Sequence, residues 1–428
     1  MKVLLIGSGG REHALAWKLA ASPSVEHLWC APGNAGIARQ AELVDISAED
    51  LEGLLAWATA HRPDLVVVGP ERPLIRGLAD RLAAAGLAVY GPPAAAARLE
   101  GSKAFTNELL ERHGLAQKEF AVFTDPASAK AYIRRKGAPI VVKADGDAFG
   151  KGVKVAATVA EAEEFVDRCM VEKAFGSAGE TVVIEECLVG QECTIKVFTD
   201  GETVVPMVPS QDYKRIGDGD TGGNTGGMGC YSPVPALDEE TFNYVVDKIV
   251  LPTVRALAAE GIRYVGTLYA GVILTAKGPR VLEYNCRFGD PETQVVLPRL
   301  ETDLAEILQA AVEGRLREIR PTWSQRRCVC VVMASGGYPD EHEKGKIITG
   351  IDEAEALDDV IVFHAGTALR DGQLVTSGGR VLGVTALGNS FAAARSRAYE
   401  AVSRINFEKC YYRRDIALRA VEAENSDG

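Results

Sequence analysis

VLEYNCRFGDPETQ, residues 281–294, carries a carboxylate, an amide and a guanidinium at every second position. The two-residue period of a β-strand sets Glu283, Asn285 and Arg287 side by side on one face and turns Leu282, Tyr284, Cys286 and Phe288 toward a core. Oxygen donors from Glu283 and Asn285 suit a hard divalent cation that keeps open positions for phosphate oxygens. Arg287, one step further, offers a planar fork for a carboxylate or a transferring phosphoryl group. Taken alone, the pattern also describes a half-buried edge strand whose polar face is merely wet. The surrounding chain decides between the two.

Upstream lies charge that a wet edge strand does not need. The strand APIVVKADG carries Lys143 and runs into the loop DGDAFGKGV, where Gly146, Gly150 and Gly152 accompany Lys151. Glycines let backbone N–H groups approach phosphate oxygens, and the two lysines supply positive charge. The loop lacks the GxxxxGK[ST] spacing, so it is not of the Walker type, and a plain hairpin with solvated lysines is the simpler alternative. Further on, VVIEECLVGQE puts Glu185 and Glu186 at a strand end, before a connector through Leu188 to Glu192. Such a junction can offer main-chain groups to an adenine edge and a carboxylate to a ribose hydroxyl, although paired glutamates at a strand end are usually just solvated.

The blocks around these motifs differ in rhythm. Residues 1 to about 100 alternate short, continuous apolar strands with helical patterns, from KVLLIG through DLVVVGP to LAVYGP, which predicts a doubly wound α/β domain on a parallel sheet. Its first turn, GSGGREH, has Glu12 at the sixth place, where a dinucleotide fingerprint wants Gly or Ala, and its second strand ends in Cys30, Ala31 and Pro32 rather than an acid. That argues against NAD while leaving the turn able to face an anion. From Gly101 to Ala121 a helical pattern contains Lys103. Residues 122–190 read as a small α+β unit, and 191–325 as further strands with a long helix near 238–260 and an irregular tract, GDGDTGGNTGGMGCYSP. Ordering those glycines costs much backbone entropy, so something must bind the tract or pack on it. Residues 326–428 are strand-rich at first and end in a helical pattern.

At 428 residues the chain needs two to four domains. Forty-seven basic against 59 acidic residues give a net charge of −12, which disfavours nonspecific nucleic-acid or membrane-surface binding and leaves anionic substrates to local clusters. Nine cysteines without a CxxC pair fit a reduced compartment. Cys328 and Cys330, on one face of a strand, are expected as buried thiols rather than zinc ligands. The opening MKVLLIG is too short for a signal peptide or a membrane span, so a cytoplasmic protein is expected, and a monomer because no interface signal stands out.

Taken in order, Lys103, Lys143, the loop with Lys151, the junction Glu185 to Leu188 with Glu192, then Glu283 and Asn285, resemble the ATP-grasp superfamily. Longer motifs (IGSGGREHALAWKL, APGNAG, VVVGPE, GPPAAAARLEGSKAFT, SQDYKRIGDGDTGGNTGGMGCYSP, LEYNCRFGDPETQ and TSGGRVLGVTALG) are similar to those of the glycinamide ribonucleotide synthetase family over essentially the whole chain. The resemblance implies an ATP-grasp fold. Its parts would be an N-terminal substrate domain (1–101), a central domain (102–121 and 191–325), a lid (122–190) and a C-terminal domain (326–428).

It also implies an ATP-dependent ligase of purine biosynthesis that joins glycine to 5-phosphoribosylamine through a glycyl phosphate. Lys103, Lys143, Gly146, Gly150, Lys151 and Gly152 would then face the nucleotide's phosphates, and Glu185, Glu186, Leu188 and Glu192 its nucleoside. Glu283 and Asn285 would hold Mg²⁺ or Mn²⁺, and Arg287 the glycine carboxylate or the charged transfer species. Asp212 and Lys214 of SQDYKR would meet the glycine ammonium or the transferring phosphate, with a structural ion pair as the alternative. Gly10, Arg11, Glu71, Asp290, Gly379 and Arg380 would surround phosphoribosylamine. His13 is expected as a satisfied core imidazole rather than a base.

The chain departs from the family pattern in four places. Asp147 and Phe149 add charge and bulk to the lid loop, Gly223 stands where Pro is common, Tyr213 replaces a frequent His, and residues 265–275 contain no acid. The last point leaves water and nucleotide oxygens to complete a metal's shell. A different ATP-grasp carboxylate-amine ligase, or a nucleotide-binding regulatory module without turnover, are the alternatives.

Overall fold

KVLLIG is the central strand of the first domain. In the computed structural model, which describes residues 1–146 and 152–426, Lys2–Gly7 lies between His27–Pro32 and Leu65–Val68. Glu42–Leu43 and Val89–Tyr90 extend the two edges, and every pairing is parallel. All but the first residue of the central strand are buried, as a sheet covered on both faces requires. The helical segment after Leu65–Val68 is split in two. Gly77, left-handed at φ 84°, ends Glu71–Ile75 and starts Leu78–Ala84 in a new direction.

The remaining sheets are antiparallel. Phe120–Phe123, Val182–Glu186, Ile140–Ala144 and Val153–Ala156 form a four-stranded sheet in that order, with a small core of its own around Ile133, Val142, Phe165 and Ile184. A second four-stranded sheet runs Val204–Pro206, Gln191–Thr199, Gly266–Thr275, Gly278–Asn285. The long helix expected near 238–260 is present but interrupted. Glu239–Val245 and Leu251–Ala259 are joined by a wide turn, Val246–Val250, just before Pro252, whose ring and missing N–H disrupt regular helical bonding.

Within the last sheet, Gly278–Asn285 departs from simple alternation. Gly271 faces Glu283 and Val272 faces Val281, so Leu282 is an extra residue, a β-bulge. Leu282 is therefore only half-buried instead of facing the core, and the strand ends at Asn285, before Arg287. Tyr284, Cys286 and Phe288 are buried as expected.

A five-stranded sheet crosses the expected boundary at 326. Its order is Gln211–Asp212, Gly229–Ser232, Arg327–Ala334, Arg380–Gly388, Val360–His364, so two strands come from the glycine-rich region. The tract itself is a hairpin, Arg215–Gly217 against Thr221–Asn224, rather than irregular chain. What packs on it is the segment near the C-terminus. Arg413, fully buried, donates to Arg215 O (3.0 Å) and Asp220 (2.9 Å), pairs with Asp415 (2.6 Å) and lies 4.6 Å from the Tyr213 ring centre. Cys328 and Cys330 are buried free thiols. No helix among the described residues is long and apolar enough to cross a membrane.

The first and last domains meet at two buried histidines. His13, on helix Gly10–Ala20, accepts a hydrogen bond at Nδ1 from the backbone N–H of His364 (2.6 Å) and stands edge-on to Phe363. Burial, then the neighbouring His364, lowers His13 to about 3. Burial, then Arg39, lowers His364 to about 4. Both values lie below the unfolded value, so the stability held by the neutral rings is complete above pH 6.5 and is lost as pH falls toward 4. Each ring contributes a slope of up to about 1.4 kcal/mol per pH unit. Urea unfolding between pH 7 and 5.5 is expected to show stability falling with acid. His13→Asn, which keeps an acceptor near the Nδ1 position, should lose about half of that slope.

Candidate active site

A cavity of about 920 Å³ lies where the sheets converge. Its first wall is built by the bulge. On this edge strand the Leu282 carbonyl accepts from Lys143 Nζ (3.1 Å) and Lys118 Nζ (2.9 Å). The same two lysines pair with Glu185, at 2.8 and 2.7 Å, and Asn107 donates to its Oε1 at 2.9 Å. Glu185 and both lysines are buried. Burial works against ionisation of Glu185, but Lys143 and Lys118 overcome it and hold the carboxyl down to about 2. Burial, then repulsion by Lys143, brings Lys118 down to about 8 despite Glu185. Lys103 completes this wall, donating to Gly146 O at 3.3 Å.

Glu283 and Asn285 come next along the strand, both facing the cavity. Burial would raise Glu283, yet Lys214, Lys143 and Lys103 hold it at about 2, so it is ionised. Lys214 lies 3.8 Å from Glu283 and 3.2 Å from Glu192. Asp212 behaves oppositely. Burial, with repulsion from Glu292 and Glu192, outweighs Lys214 and pushes it up to about 7. This part of the cavity is short of positive charge.

The far wall alternates arginines and acids. Arg287 pairs with Glu100 (2.9 Å) and Glu71 (3.3 Å), and Arg11 lies 3.8 Å from Glu71 and 2.6 Å from Glu12. Arg380 lies 3.3 Å from the Asp290 carboxylate and donates to Asp290 O (2.8 Å) and Gly226 O (2.6 Å). Burial disfavours the Asp290 charge, but Arg380 and Arg11 keep its pKa below the ordinary value. Burial likewise opposes ionisation of Glu71, which Arg287 and Arg11 bring down to about 2.

The cavity brings together Arg11, Glu71, Lys103, Lys143, Gly146, Gly152, Glu185, Glu186, Leu188, Glu192, Asp212, Lys214, Glu283, Asn285, Arg287, Asp290 and Arg380. Gly150 and Lys151, and the substitutions Asp147 and Phe149, lie outside the described residues. Gly10 and Gly379 sit behind the lining. A Cβ at Gly10 would lie 2.5 Å from Gln294 Nε2, and one at Gly379 would lie 2.4 Å from the Tyr338 ring, whose hydroxyl accepts from Gly226 N. The first turn does face an anion as its sequence allows, since the Arg11 backbone N–H meets the Asp290 carboxylate at the start of the helix. Gly9 N donates to Glu12 (2.6 Å), so the residue that breaks the dinucleotide pattern supplies the turn's own anion. The Glu185 side chain, expected among the nucleotide-binding residues, is engaged with two lysines and an amide. Lys118, Asn107 and Glu100 were not anticipated. Their sequence contexts are an ordinary connector and two helices, and only long-range pairing reveals them.

An antiparallel lid-like sheet and an antiparallel central sheet, closing on lysines, an acid–amide pair and an arginine, define the ATP-grasp class. Residues 101–293 match the ATP-grasp (A) domain of phosphoribosylglycinamide synthetase, residues 1–100 its N domain and residues 328–419 its C domain. The chain belongs to the phosphoribosylglycinamide synthetase family. It is 52% identical over 427 residues to a phosphoribosylamine–glycine ligase of Brucella melitensis, each chain being fully covered. The crystal structure of phosphoribosylamine–glycine ligase from Thermotoga maritima superposes with a TM-score of 0.85 at 33% identity, covering 97% of this chain and all of the other. Biotin carboxylase of Campylobacter jejuni shares the fold at 15% identity, with a TM-score of 0.73, over 96% of this chain and 93% of that one.

Glu100 fixes the approach of Arg287, and it also accepts from Cys286 N at 2.8 Å. Glu100→Ala should therefore leave a half-buried guanidinium short of one partner and a backbone N–H without its acceptor. Urea denaturation should record a loss of about 3 kcal/mol.

Proposed function

We propose that the chain joins glycine to 5-phosphoribosylamine at the expense of ATP, giving glycinamide ribonucleotide, ADP and phosphate in purine biosynthesis. The observation that carries this reading is one cavity lined by Lys103, Lys143, Glu283, Asn285, Arg287 and Arg380. A glycine carboxylate oxygen attacks the terminal phosphorus of ATP and ADP leaves. The amine then attacks the acyl carbon of the resulting glycyl phosphate, phosphate departs with its bonding electrons, and the nitrogen loses a proton.

Both steps depend on positioning and on neutralising negative charge, not on a protein nucleophile. The thiols agree with that: burial pushes Cys193 and Cys330 up to about 12. Lys103 and Lys143 are placed to neutralise phosphates, and Glu186, Leu188 and Glu192 to seat the nucleoside. Glu283, ionised and partly exposed to the cavity beside Asn285, fits the few hard oxygen donors through which a protein holds Mg²⁺ or Mn²⁺ alongside phosphates. Among the described residues no group of three or more His, Cys, Asp or Glu forms a fuller metal cage. When bound, such an ion supplies charge neutralisation across the phosphates.

Arg287, whose fork is shared by Glu71 and Glu100, is placed to take up the glycine carboxylate or the charge of the acyl-transfer species. Asp212, in its acid-rich corner with Glu192 and Glu292, suits the glycine ammonium, with Lys214 facing the transferring group. Arg11, Glu71, Asp290 and Arg380, backed by Gly10 and Gly379, frame phosphoribosylamine.

ADP release should require glycine and phosphoribosylamine together, and ADP formed without them, or none under any condition, would refute the ligase reading. Glu283→Ala should abolish turnover while leaving the melting temperature near that of the parent chain, and an active variant would sink the metal assignment. The ammonium assignment predicts a pH dependence. Because Asp212 binds a cation only when ionised, the KM for glycine should fall as pH rises through about 7. Asp212→Asn should raise that KM and flatten the profile.

A further inference from the structure

We propose that Lys118 is a positioning residue for nucleotide capture: it keeps Glu185 and the Leu282 carbonyl satisfied while Lys143 turns toward the nucleotide's phosphates. Two ammonium groups meet one pair of acceptors here. Lys118 Nζ stands 2.7 Å from Glu185 and 2.9 Å from Leu282 O, and the corresponding distances from Lys143 are 2.8 and 3.1 Å. All three ionic side chains are less than a tenth exposed.

Glu185 alone cannot balance two ammonium ions, and Glu283, the next acid that both lysines feel, is shared with Lys214 and Lys103, so positive charge stays in excess at this desolvated wall of the cavity. Such a charge is costly until an anion joins it. The acceptors set the second half of the argument. A buried carboxylate stripped of its cation costs several kcal/mol, and a buried carbonyl without a donor roughly 1–3 kcal/mol. With Lys118 in place, Lys143 can leave both acceptors without stripping them. Without Lys118, Lys143 would be the only cation on Glu185 and would be held back.

The two lysines are placed for this division of work. Lys143 stands on strand Ile140–Ala144, directly paired with the strand that carries Glu185. Lys118 stands on the connector before strand Phe120–Phe123. Its two bonds tie that connector to both the four-stranded sheet of residues 120–186 and the bulge of the central sheet.

The inference rests on the reading that Lys143 faces the nucleotide. Lys118→Met should raise the KM for ATP about tenfold, far more than it lowers kcat, and leave the KM for glycine unchanged. Calorimetric binding of ADP should weaken in parallel. Glu185→Gln added to Lys118→Met loosens the hold on Lys143, so the double variant should recover toward the parent KM for ATP. An unchanged KM for ATP in Lys118→Met, or a double variant worse than the single one, overturns the proposal. Should the methionine variant lose the fold, Lys118→Gln repeats the measurement with a donor but no charge. Lys143→Met separates the two ideas: if it binds ADP as the parent does, the reading of Lys143 fails, whatever Lys118 does.

Discussion

The extra residue at Leu282 is the constraint on which the site depends. Gly278–Asn285 is the edge strand of its sheet, so alternate carbonyls point away from the ladder, and the bulge resets which of them do. At the bulge the Leu282 carbonyl meets Lys143 of another sheet and Lys118 of the connector that leads into that sheet, and both lysines reach the same buried carboxylate, Glu185. The sheet of residues 120–186 and the central sheet are thus joined by charge-assisted hydrogen bonds at the lip of the cavity. Such bonds are directional and strong relative to neutral ones, which suits a seam that must hold geometry without a large apolar contact. Beyond the bulge, Glu283 and Asn285 face the cavity with the lysine charges close enough to keep Glu283 ionised.

The cavity is sorted by charge. Lysines line one end, where phosphates would sit. Acids with too few cations line the middle, and arginines already paired with Glu71, Glu100 and Asp290 line the far wall. Pairing matters for the arginines, because a guanidinium held on two sides by carboxylates is pre-oriented before any substrate arrives. An unpaired one would be free to swing into solvent. The net charge of −12 is consistent with this arrangement: attraction for an anion is local to the lysine wall and is not a property of the whole surface.

Much of this was legible in the chain, but unevenly. Continuous apolar runs such as KVLLIG and LVVV predict a parallel sheet because they leave no polar face, and they form one. Period-two alternation placed Tyr284, Cys286 and Phe288 inward, since burial repeats along the backbone itself. The bulge was invisible, because an inserted residue shows only against its partner strand. Lys118, Asn107 and Glu100 were invisible for a related reason: their roles come from partners some 80 to 190 residues away, and nothing local marks them. Glu12 was read correctly as a break in a nucleotide-binding turn, but not as the group that fills the turn itself.

The glycine-rich tract carries the same lesson further. Its composition predicts a segment that cannot order itself, and the structure meets that requirement from the other end of the chain. Arg413, fully buried, has to place its donors among acceptors, and it finds them in the tract at Arg215 O and Asp220 and locally at Asp415. Arg419 stacks on the opposite reach of the same platform, 4.2 Å from the Tyr213 ring centre, and pairs with Asp220 at 3.0 Å. A tyrosine at 213 offers both a ring face for two guanidinium groups and a hydroxyl for Arg419 Nε. The tract that lines the cavity through Asn224, Thr225 and Gly226 is therefore ordered by residues 413–419. That requirement explains why the C-terminal domain is built into the site: without its arginines, the entropy of seven glycines would keep that wall from having a defined shape.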